Sequence, residues 1–480
     1  MPDSDPPHSP SPRTSDQRRG LLWFVRNLFT EIRPGEGRVA SLLLFAVFFL
    51  LASLYMLKVA REAKVLSDRG FYGVQGPSLK ALARGFQAMI MALVVIPIYG
   101  WVSARLPRKG LMIGMTLFYA INIELFYLAS IAELPNVGFY FYVWVGVFNV
   151  SIMAQFWSYA NDVYSAEAGK RIFPLIMLGA SVGGVVGVLV DRFIKVLPVF
   201  ETQPFIALHV TTALLLCGLV LFLWADHYID RANTHKQQVS EPLQLGNGLL
   251  RVLSSPYIRL IALLLVVLNL VNATGEYILD NYIIDHANAV ASAQYAQGTE
   301  AWLSAQRAAI GQAFNTFYLA VNVLTLLLQA FVASRVIRRF GTAGALLVLP
   351  VVAFGAYGLV VLGGGYAVFR AMKVLENATD YSINNTVQQL LWAPTSREEK
   401  YQAKQAADTI FYRLGDLLHS VLIWGGTVWF SFTPKDFAMV NVVLCLVWFA
   451  LILALVKEYR RVKYTGTESY QIENGHTPVT

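Results

Sequence analysis

Long apolar runs constrain the fold of this chain more than any other feature. A helix needs about twenty apolar residues to cross a bilayer, and runs of this kind centre near residues 48, 93, 121, 149, 182, 214, 265, 320, 351, 378, 420 and 447. Only 14% of the 480 residues are charged, against about 25% in soluble domains. The sequence therefore predicts an all-α integral membrane protein with about twelve transmembrane helices embedded in a lipid bilayer.

Lysine and arginine cluster in every second connection between these runs. Basic residues precede the first run and follow the second, fourth, sixth, eighth, tenth and twelfth. Basic loops stay on the cytoplasmic side of a membrane, so both termini are predicted to be cytoplasmic. With no signal or transit peptide evident, we expect a bacterial inner-membrane location. The same placement accounts for the net charge of +8 without nucleic-acid binding.

One long polar connection divides the runs into two sets of six. We predict a disordered cytoplasmic tail at 1–35, an N-terminal six-helix half at 36–225, a cytoplasmic linker at 226–256, a C-terminal half at 257–460 and a tail at 461–480. The second run ends WVSARLPRKG and the eighth ends FVASRVIRRFG. Both resemble the short basic loop after the second helix of major facilitator superfamily transporters. That resemblance implies the same fold, although any basic cytoplasmic loop looks similar.

Polar side chains concentrate in the first, fourth, seventh and tenth runs, which line the central cavity of a major facilitator fold. A charge in hydrocarbon costs several kcal/mol unless it faces a cavity or a partner. The third, sixth, ninth and twelfth runs are almost free of charge and are expected to face lipid. The candidate substrate-binding residues are Lys58, Arg61, Lys64, Asn161, Asp162, Asn272, Glu276, Lys373, Glu376, Asp380 and Asn384.

Two of these runs carry charges at helical spacing. Lys58, Arg61 and Lys64 step by three and share one helix face, which favours an anion site; snorkelling of Lys58 to the interface is the alternative. In the tenth run a charged stripe spans 370–384. That stripe lines a cavity or forms an internal ladder of ion pairs.

Several motifs bear on the class of protein. No phosphate-binding loop of the ATPase type occurs, so transport would be driven by gradients or exchange. GASVG at 179–183 matches a hydrolase pattern, but it lies inside an apolar run with glycines four residues apart, which indicates close helix packing. The histidines show no metal-ligand spacing. We therefore expect no enzyme activity, no metal and no cofactor.

Three stretches resemble the ATP/ADP translocases of plastids and intracellular bacteria. They are YMLKVAREAKVL from residue 55, FWSYANDV from residue 156 with FPLIMLGASVGG after it, and ENATDYSINN from residue 376 with KYQAKQAADTIFYRLGD after it. The resemblance implies nucleotide exchange, in which Lys64 and Lys404 occupy lysine positions of the family's motifs. Arg413 is expected to contribute to phosphate binding from the second half.

The chain also departs from the translocase pattern at three cavity positions. Asn272 stands where an acidic residue is expected, Glu276 where a cation is expected, and Asp380 where a lysine is expected. Added carboxylates repel a polyphosphate, so an exchanger or proton-coupled transporter of another organic anion or solute is the alternative function. A non-transporting membrane scaffold is a third hypothesis. Phe156, Trp157 and Tyr159 could stack on a base or pack in the core.

Overall fold

The computed structural model describes residues 36–68, 70–103, 105–164, 166–199, 205–229, 245–395 and 403–473. These residues are almost entirely helical, and their only β pairing is an isolated bridge between Phe71 and Val74. The predicted N-terminal tail, residues 230–244 of the linker and the last residues of the C-terminal tail lie outside the described residues.

Twelve helical segments follow one another in the described part of the chain, in addition to a short linker helix at Leu245–Ser254. The N-terminal segments are α1 (Glu36–Leu66), α2 (76–103), α3 (Arg108–Ile131), α4 (Val137–Val163), α5 (Ala166–Ile194) and α6 (Ala207–His227). The C-terminal segments are α7 (Pro256–Ser292), α8 (Glu300–Leu346), α9 (Val348–Val361), α10 (366–391), α11 (404–429) and α12 (Pro434–Glu473). Each segment contains one predicted run centre.

Nine of the described helices, α1 to α8 and α12, are long and apolar enough to cross a membrane. The shorter α9 follows α8 directly, and α8 itself is kinked near its end at Gly341, whose backbone has a positive φ of 68°. Glycine adopts this conformation without the strain that a β-carbon would cause. The chain is therefore an all-α integral membrane protein.

The glycine repeat in α5 packs directly on α1. A β-carbon on Gly183 would come within 2.8 Å of the Cα of Phe48, and one on Gly187 within 2.7 Å of the Cα of Ala52. Small residues at this spacing let two helix backbones approach closely. The GASVG stretch is thus a helix-packing motif, as its position in an apolar run predicts.

Large apolar side chains cover the outer faces of α3, α6, α9 and α12. They include Leu117, Ile121, Leu125 and Leu128 on α3, Val220 and Trp224 on α6, Val351 on α9, and Val443, Leu446 and Leu453 on α12. Their exposure agrees with the prediction that these four helices face lipid. Many polar residues of the other helices, by contrast, are buried inside the bundle.

The two halves pack together at one end of the bundle. One apolar cluster joins the C-terminal half to Val65 and Leu66 of α1, to 79–83 of α2 and to 139–143 of α4. A second cluster contains only residues of the N-terminal half. We call the end at which α1 finishes and α2 begins the contact end.

Candidate functional site

Charged side chains from both halves meet near the contact end. This central charge cluster contains Arg61 and Glu62 of α1, Lys80 and Arg84 of α2, Glu276 and Asp280 of α7, and Arg413 and Asp416 of α11. Charges buried among helices need partners, and each member of the cluster has one. The cluster contains four cations and four carboxylates, so its formal charges cancel.

Lys80 bridges the two halves at the most deeply buried part of the cluster. Its Nζ lies 2.8 Å from Glu62 Oε2 in its own half and 2.8 Å from Asp280 Oδ1 in the other. At most 5% of any of the three side chains is exposed. A lysine beginning the second helix thereby ties α1 to α7.

Arg84, one helical turn after Lys80, makes a second bridge. Its guanidinium forms an ion pair with Glu276 of α7 and lies 3.9 Å from Asp416 of α11. Nε also donates a hydrogen bond of 3.4 Å to the hydroxyl of Tyr142. In contrast to Lys80, Arg84 keeps 14% of its side chain exposed and Glu276 keeps 22%.

Glu62 joins the cluster to α8 as well as to α2. Arg61 forms an ion pair with it, and the hydroxyl of Tyr318 on α8 donates a 3.1 Å hydrogen bond to its Oε1. The guanidinium of Arg61 also lies 4.4 Å from the ring centre of Tyr142, a favourable cation–π arrangement. Arg61 is thus engaged with a carboxylate rather than standing free in an anion site.

The cations of the α1 stripe do not converge on one site. Lys58 is half-buried, with its Nζ 4.6 Å from the ring centre of Tyr55. Lys64 lies instead against Phe205, with its Nζ 4.1 Å from that ring centre, and lines a separate cavity with Arg307 of α8. A spacing of three keeps side chains near one face, but over two turns the face rotates and the neighbouring helices change. The single three-cation anion site that this spacing favoured is therefore not formed.

The charges of α10 separate into two groups. Lys373 Nζ contacts Glu376 Oε1 at 2.8 Å and donates a 2.7 Å hydrogen bond to Asn272 Oδ1 of α7. The Tyr357 hydroxyl of α9 donates a 3.0 Å hydrogen bond to Glu376. These groups form an internal polar tie among three helices. The ion-pair interpretation of this part of the stripe is confirmed.

A π-helical turn follows at Asp380–Asn384 and changes the register of α10. Asn384 Nδ2 donates a 2.7 Å hydrogen bond to Asp380 Oδ1. Asp380 is half-buried, and that amide is its hydrogen-bond partner among the described residues. π-turns inside α-helices frequently mark functional positions, which keeps Asp380 a candidate.

The remaining candidates lie apart from the cluster, except for Arg413. Arg413 contacts Asp416 at 3.1 Å. Lys404 donates a 2.5 Å hydrogen bond to Gln389 Oε1 on the exposed surface of α11 and α10. Asn161 is exposed on α4. Asp162 belongs to the same helix, but its side chain lies outside the described residues.

The aromatic residues of α4 serve packing. Phe156 is fully buried, and Tyr159 donates a 2.9 Å hydrogen bond to Asp226 of α6 while packing on Phe222. Trp157 packs edge-on against Phe173 of α5. Phe156 and Tyr159 are therefore core residues rather than a surface for stacking a base.

Sequence reasoning missed Lys80 and Arg84, which form the two bridges between the halves. The signal was present, since the two cations lie four residues apart within a stretch that can span a membrane. They were missed because the sequence prediction assigned the cavity-lining polar residues to the first, fourth, seventh and tenth helices, and not to α2. Glu62 and Asp280, their carboxylate partners, lie in two of the polar runs that the sequence does indicate.

No group of three metal-ligating side chains occurs among the described residues. The one buried histidine of the region, His419 of α11, has its Nδ1 3.3 Å from the hydroxyl oxygen of Thr274 on α7. The chemistry of the site is therefore that of arginine, lysine and carboxylate side chains.

Comparison with known proteins adds two findings on family and fold. A family model described as TLC ATP/ADP transporter matches residues 138–366. ADP,ATP carrier protein 1 of Chlamydia muridarum is 23% identical over 444 residues, covering 82% of this chain and 76% of that protein. ADP,ATP carrier protein 2 of Chlamydia trachomatis is 24% identical over 515 residues, covering 90% and 91%.

Solved transporter structures share the fold. A variant of the nucleoside transporter NupG superposes with a TM-score of 0.60 at 15% identity, covering 87% of this chain and 99% of that one. An auto-inhibited peptide transporter of the POT family gives a TM-score of 0.59 at 12% identity, covering 88% and 97%. At this level of identity the likeness concerns architecture, and it confirms the major facilitator-like arrangement that the two basic loops predict.

Proposed function

Because this chain is a divergent member of the ATP/ADP transporter family, with the fold of a secondary transporter, we propose that it exchanges nucleotides across a bacterial inner membrane. The proposed mechanism is alternating access, in which the two six-helix halves close in turn on either side of a midplane site. The central charge cluster is the proposed phosphate site.

One observation carries this proposal: Arg84 joins the two halves through Glu276 and yet remains partly exposed. Arg61 and Arg413 are similarly accessible, with 11% and 15% of their side chains exposed. Arginine binds phosphate oxygens through two parallel hydrogen bonds. Three accessible arginines from both halves therefore suit a ligand with several phosphate oxygens.

Because the cluster contains equal numbers of cations and carboxylates, phosphate binding can be coupled to opening of the contact between the halves. A phosphate group that binds Arg84 competes with Glu276 for the same guanidinium. Displacing Glu276 removes an ion pair that holds α2 to α7 at the contact end. Substrate binding would thus weaken the closed contact, because the ligand binds better to the arrangement in which Arg84 is released. An empty transporter would keep its own ion pairs.

The buried members of the cluster have a different proposed role. Lys80 and its carboxylate partners are almost inaccessible, so they position the helices instead of binding phosphate. Lys373 is likewise fully buried. Lys58, which is half-buried beside Tyr55, remains a proposed phosphate ligand beside Arg61.

The proposal is tested by exchange in liposomes. Purified protein is reconstituted into liposomes loaded with ADP, and uptake of labelled ATP is followed. Arg84→Ala should reduce uptake by about a hundredfold, as expected when a charge-assisted contact to phosphate is lost. Arg84→Lys should recover part of it. Arg259→Ala, which removes an exposed arginine at the start of α7, is the matched control and should behave as wild type.

Two results would contradict the proposal. The first is absence of uptake by folded wild-type protein for every nucleotide pair inside and outside the liposomes. The second is an Arg84→Ala variant that exchanges nucleotides at the wild-type rate.

Asp380 supports a second candidate function, transport of an organic anion or solute coupled to protons. Its carboxyl group is half-buried on the π-turn of α10, and the amide of Asn384 is its hydrogen-bond partner among the described residues. A carboxyl group without a cation partner inside a helix bundle is suited to carry a proton. An imposed pH gradient that drives uptake in wild type but not in Asp380→Asn would favour this function over nucleotide exchange.

A further inference from the structure

The second helix of each half, α2 and α8, carries an exposed apolar stripe that ends in an arginine. Side chains three or four residues apart lie on one face of a helix, so each set forms a continuous stripe. The α2 stripe consists of Val94, Ile98 and Trp101 and ends at Arg105, and the α8 stripe consists of Val323, Leu327 and Phe331 and ends at Arg335. Both aromatic rings are more than half exposed, so neither packs inside the bundle.

In both stripes the arginine folds back along the helix to the aromatic residue four positions before it. A guanidinium nitrogen of Arg105 donates a 3.1 Å hydrogen bond to the carbonyl oxygen of Trp101, and its Cζ lies 4.1 Å from the centre of the Trp101 ring. Arg335 likewise donates to the carbonyl oxygen of Phe331. The two sequences, WVSAR and FVASR, match position by position. Each half therefore holds an exposed ring and a guanidinium side by side at the end of its stripe.

The positive charge at these two helix ends is not balanced by carboxylates. Neither Arg105 nor Arg335 forms an ion pair with a carboxylate of the described residues, whereas the arginines of the central charge cluster all do. The stretches 94–109 and 323–346 contain no aspartate or glutamate, and Arg338 and Arg339 add exposed positive charge after Arg335. A guanidinium has five N–H donors, so one bond to a carbonyl leaves donors for an anionic partner.

The stripes have the length of one leaflet of a bilayer. Helix α2 begins at the contact end, and so does α8, since Arg307 in its first turns donates a 3.2 Å hydrogen bond to Ser67 after α1. Both stripes therefore end on the opposite side, which the sequence predicts to be cytoplasmic. Val323 and Arg335 are about 18 Å apart along the helix, at 1.5 Å per residue. Half of a hydrocarbon core measures about 15 Å, so the arginine lies at headgroup level when Val323 lies at the midplane.

From these features we propose that the ends of α2 and α8 are two binding sites for an anionic phospholipid, with an acyl chain along each stripe and the headgroup phosphate on Arg105 or Arg335. A guanidinium binds phosphate oxygens through two parallel hydrogen bonds, and aromatic rings favour the headgroup level of a membrane. Basic side chains next to a membrane attract anionic lipids. Because no carboxylate offsets the arginines, a lipid with net negative charge binds better than a zwitterionic one. This inference does not depend on nucleotide exchange.

The test counts the lipids that the full-length protein retains. Protein purified in a neutral detergent is titrated with phosphatidylglycerol or with phosphatidylcholine of the same acyl chains, and bound lipids are counted by native mass spectrometry. Wild type should retain two phosphatidylglycerol molecules at concentrations at which it retains no phosphatidylcholine. Arg105→Gln and Arg335→Gln should each lower the affinity of one site by about tenfold, which corresponds to one charge-assisted hydrogen bond. Each variant should then retain one lipid, and the double variant none.

Two further variants separate a built site from a general effect of charge. Arg259→Gln removes an exposed arginine at the start of α7, which donates a 3.3 Å hydrogen bond to the Leu253 carbonyl and lies over no aromatic ring of the described residues. It changes the net charge as Arg105→Gln does, yet it should retain two lipids. Arg105→Lys keeps the charge but loses the planar fork, so its affinity should be intermediate. Thermal unfolding without added lipid shows that each variant is folded.

Three results would overturn the proposal. The first is a double variant that retains as much phosphatidylglycerol as wild type. The second is a loss in Arg259→Gln equal to that in Arg105→Gln, because binding would then follow net charge alone. The third is displacement of the lipid by sodium phosphate, tested against sodium chloride at equal ionic strength, because the arginines would then bind a soluble anion and the stripes would contribute nothing. Failure of nucleotide exchange would leave this readout intact.

Discussion

Lys80 of α2 and Asp280 of α7 lie 200 positions apart in the sequence, yet their charged atoms are 2.8 Å from each other across the boundary between the halves. Glu62 of α1 contacts the same ammonium group at 2.8 Å. One lysine thus pairs with two buried carboxylates. Removing it would leave Asp280 without its cation and Glu62 with Arg61 alone, in a region of low dielectric constant.

Lys80→Met should therefore destabilise the protein strongly. Breaking a buried ion pair by removing one partner costs about 3–5 kcal/mol. Asp280→Asn should cost less, because Lys80 keeps Glu62. Thermal unfolding in detergent measures both, and Lys435→Met, which changes an exposed lysine, is the control. Equal unfolding temperatures for Lys80→Met and wild type would show that the bridge does not hold the halves together.

The Arg84–Glu276 ion pair leads to a prediction about ligand affinity: removing the carboxylate should strengthen nucleotide binding. In Glu276→Gln the Arg84 guanidinium loses its ion-pair partner and keeps the hydroxyl of Tyr142 and the more distant carboxylate of Asp416, 3.9 Å away. An anionic ligand then no longer displaces a carboxylate, so nucleotide affinity should rise by about tenfold, the size of one charge-assisted contact. Thermal stabilisation as a function of ADP concentration gives the affinity. Unchanged or weaker ADP binding would argue against competition at Arg84.

The apolar pattern of the sequence was sufficient to predict the helices. Every predicted run centre falls in a helix, because spans of about twenty apolar residues have few alternatives in a bilayer. The basic loops predicted the facilitator-like arrangement, and the three translocase-like stretches predicted the similarity to ADP,ATP carrier proteins. Each of these features is a short local motif, so a single sequence is enough to recognise it.

The partners of the charged residues were harder to predict. Lys64 follows Arg61 at helical spacing. Arg61 nevertheless pairs with Glu62, whereas Lys64 lies against Phe205 and lines a separate cavity. Which carboxylate meets Lys80 depends on how α2 sits against α7, and helical periodicity carries no information about that register. The π-turn at Asp380–Asn384 likewise changes which side chains share a face.

The contact between α5 and α1 gives a prediction about packing alone. Gly183→Ala would bring a β-carbon within 2.8 Å of the Phe48 Cα, and overpacking of this kind costs about 1–3 kcal/mol. Gly114→Ala on α3 is the matched control, because a β-carbon there would have no neighbour within 4 Å. Thermal unfolding should distinguish the two variants. A Gly183→Ala protein as stable as Gly114→Ala would mean that α1 and α5 separate at little cost.

The polar tie of Lys373, Glu376 and Tyr357 predicts a loss of stability without a loss of ligand binding. Tyr357 and Lys373 are fully buried and Glu376 nearly so, so no ligand reaches them while the helices stay packed. Tyr357→Phe removes the 3.0 Å hydrogen bond to Glu376 and should cost about 1–3 kcal/mol, since a buried acceptor loses its partner. Tyr295→Phe, at an exposed tyrosine, should cost nothing.

Measuring unfolding with and without ADP separates this structural role from a role in binding. If the tie only holds α7, α9 and α10 together, ADP should raise the unfolding temperature of Tyr357→Phe by the same increment as that of wild type. The increment depends on ligand concentration and affinity, not on the starting stability. A Tyr357→Phe protein with wild-type stability and no response to ADP would place Lys373 and Glu376 in the binding site, and would restore to α10 the continuous charged stripe that its sequence suggests.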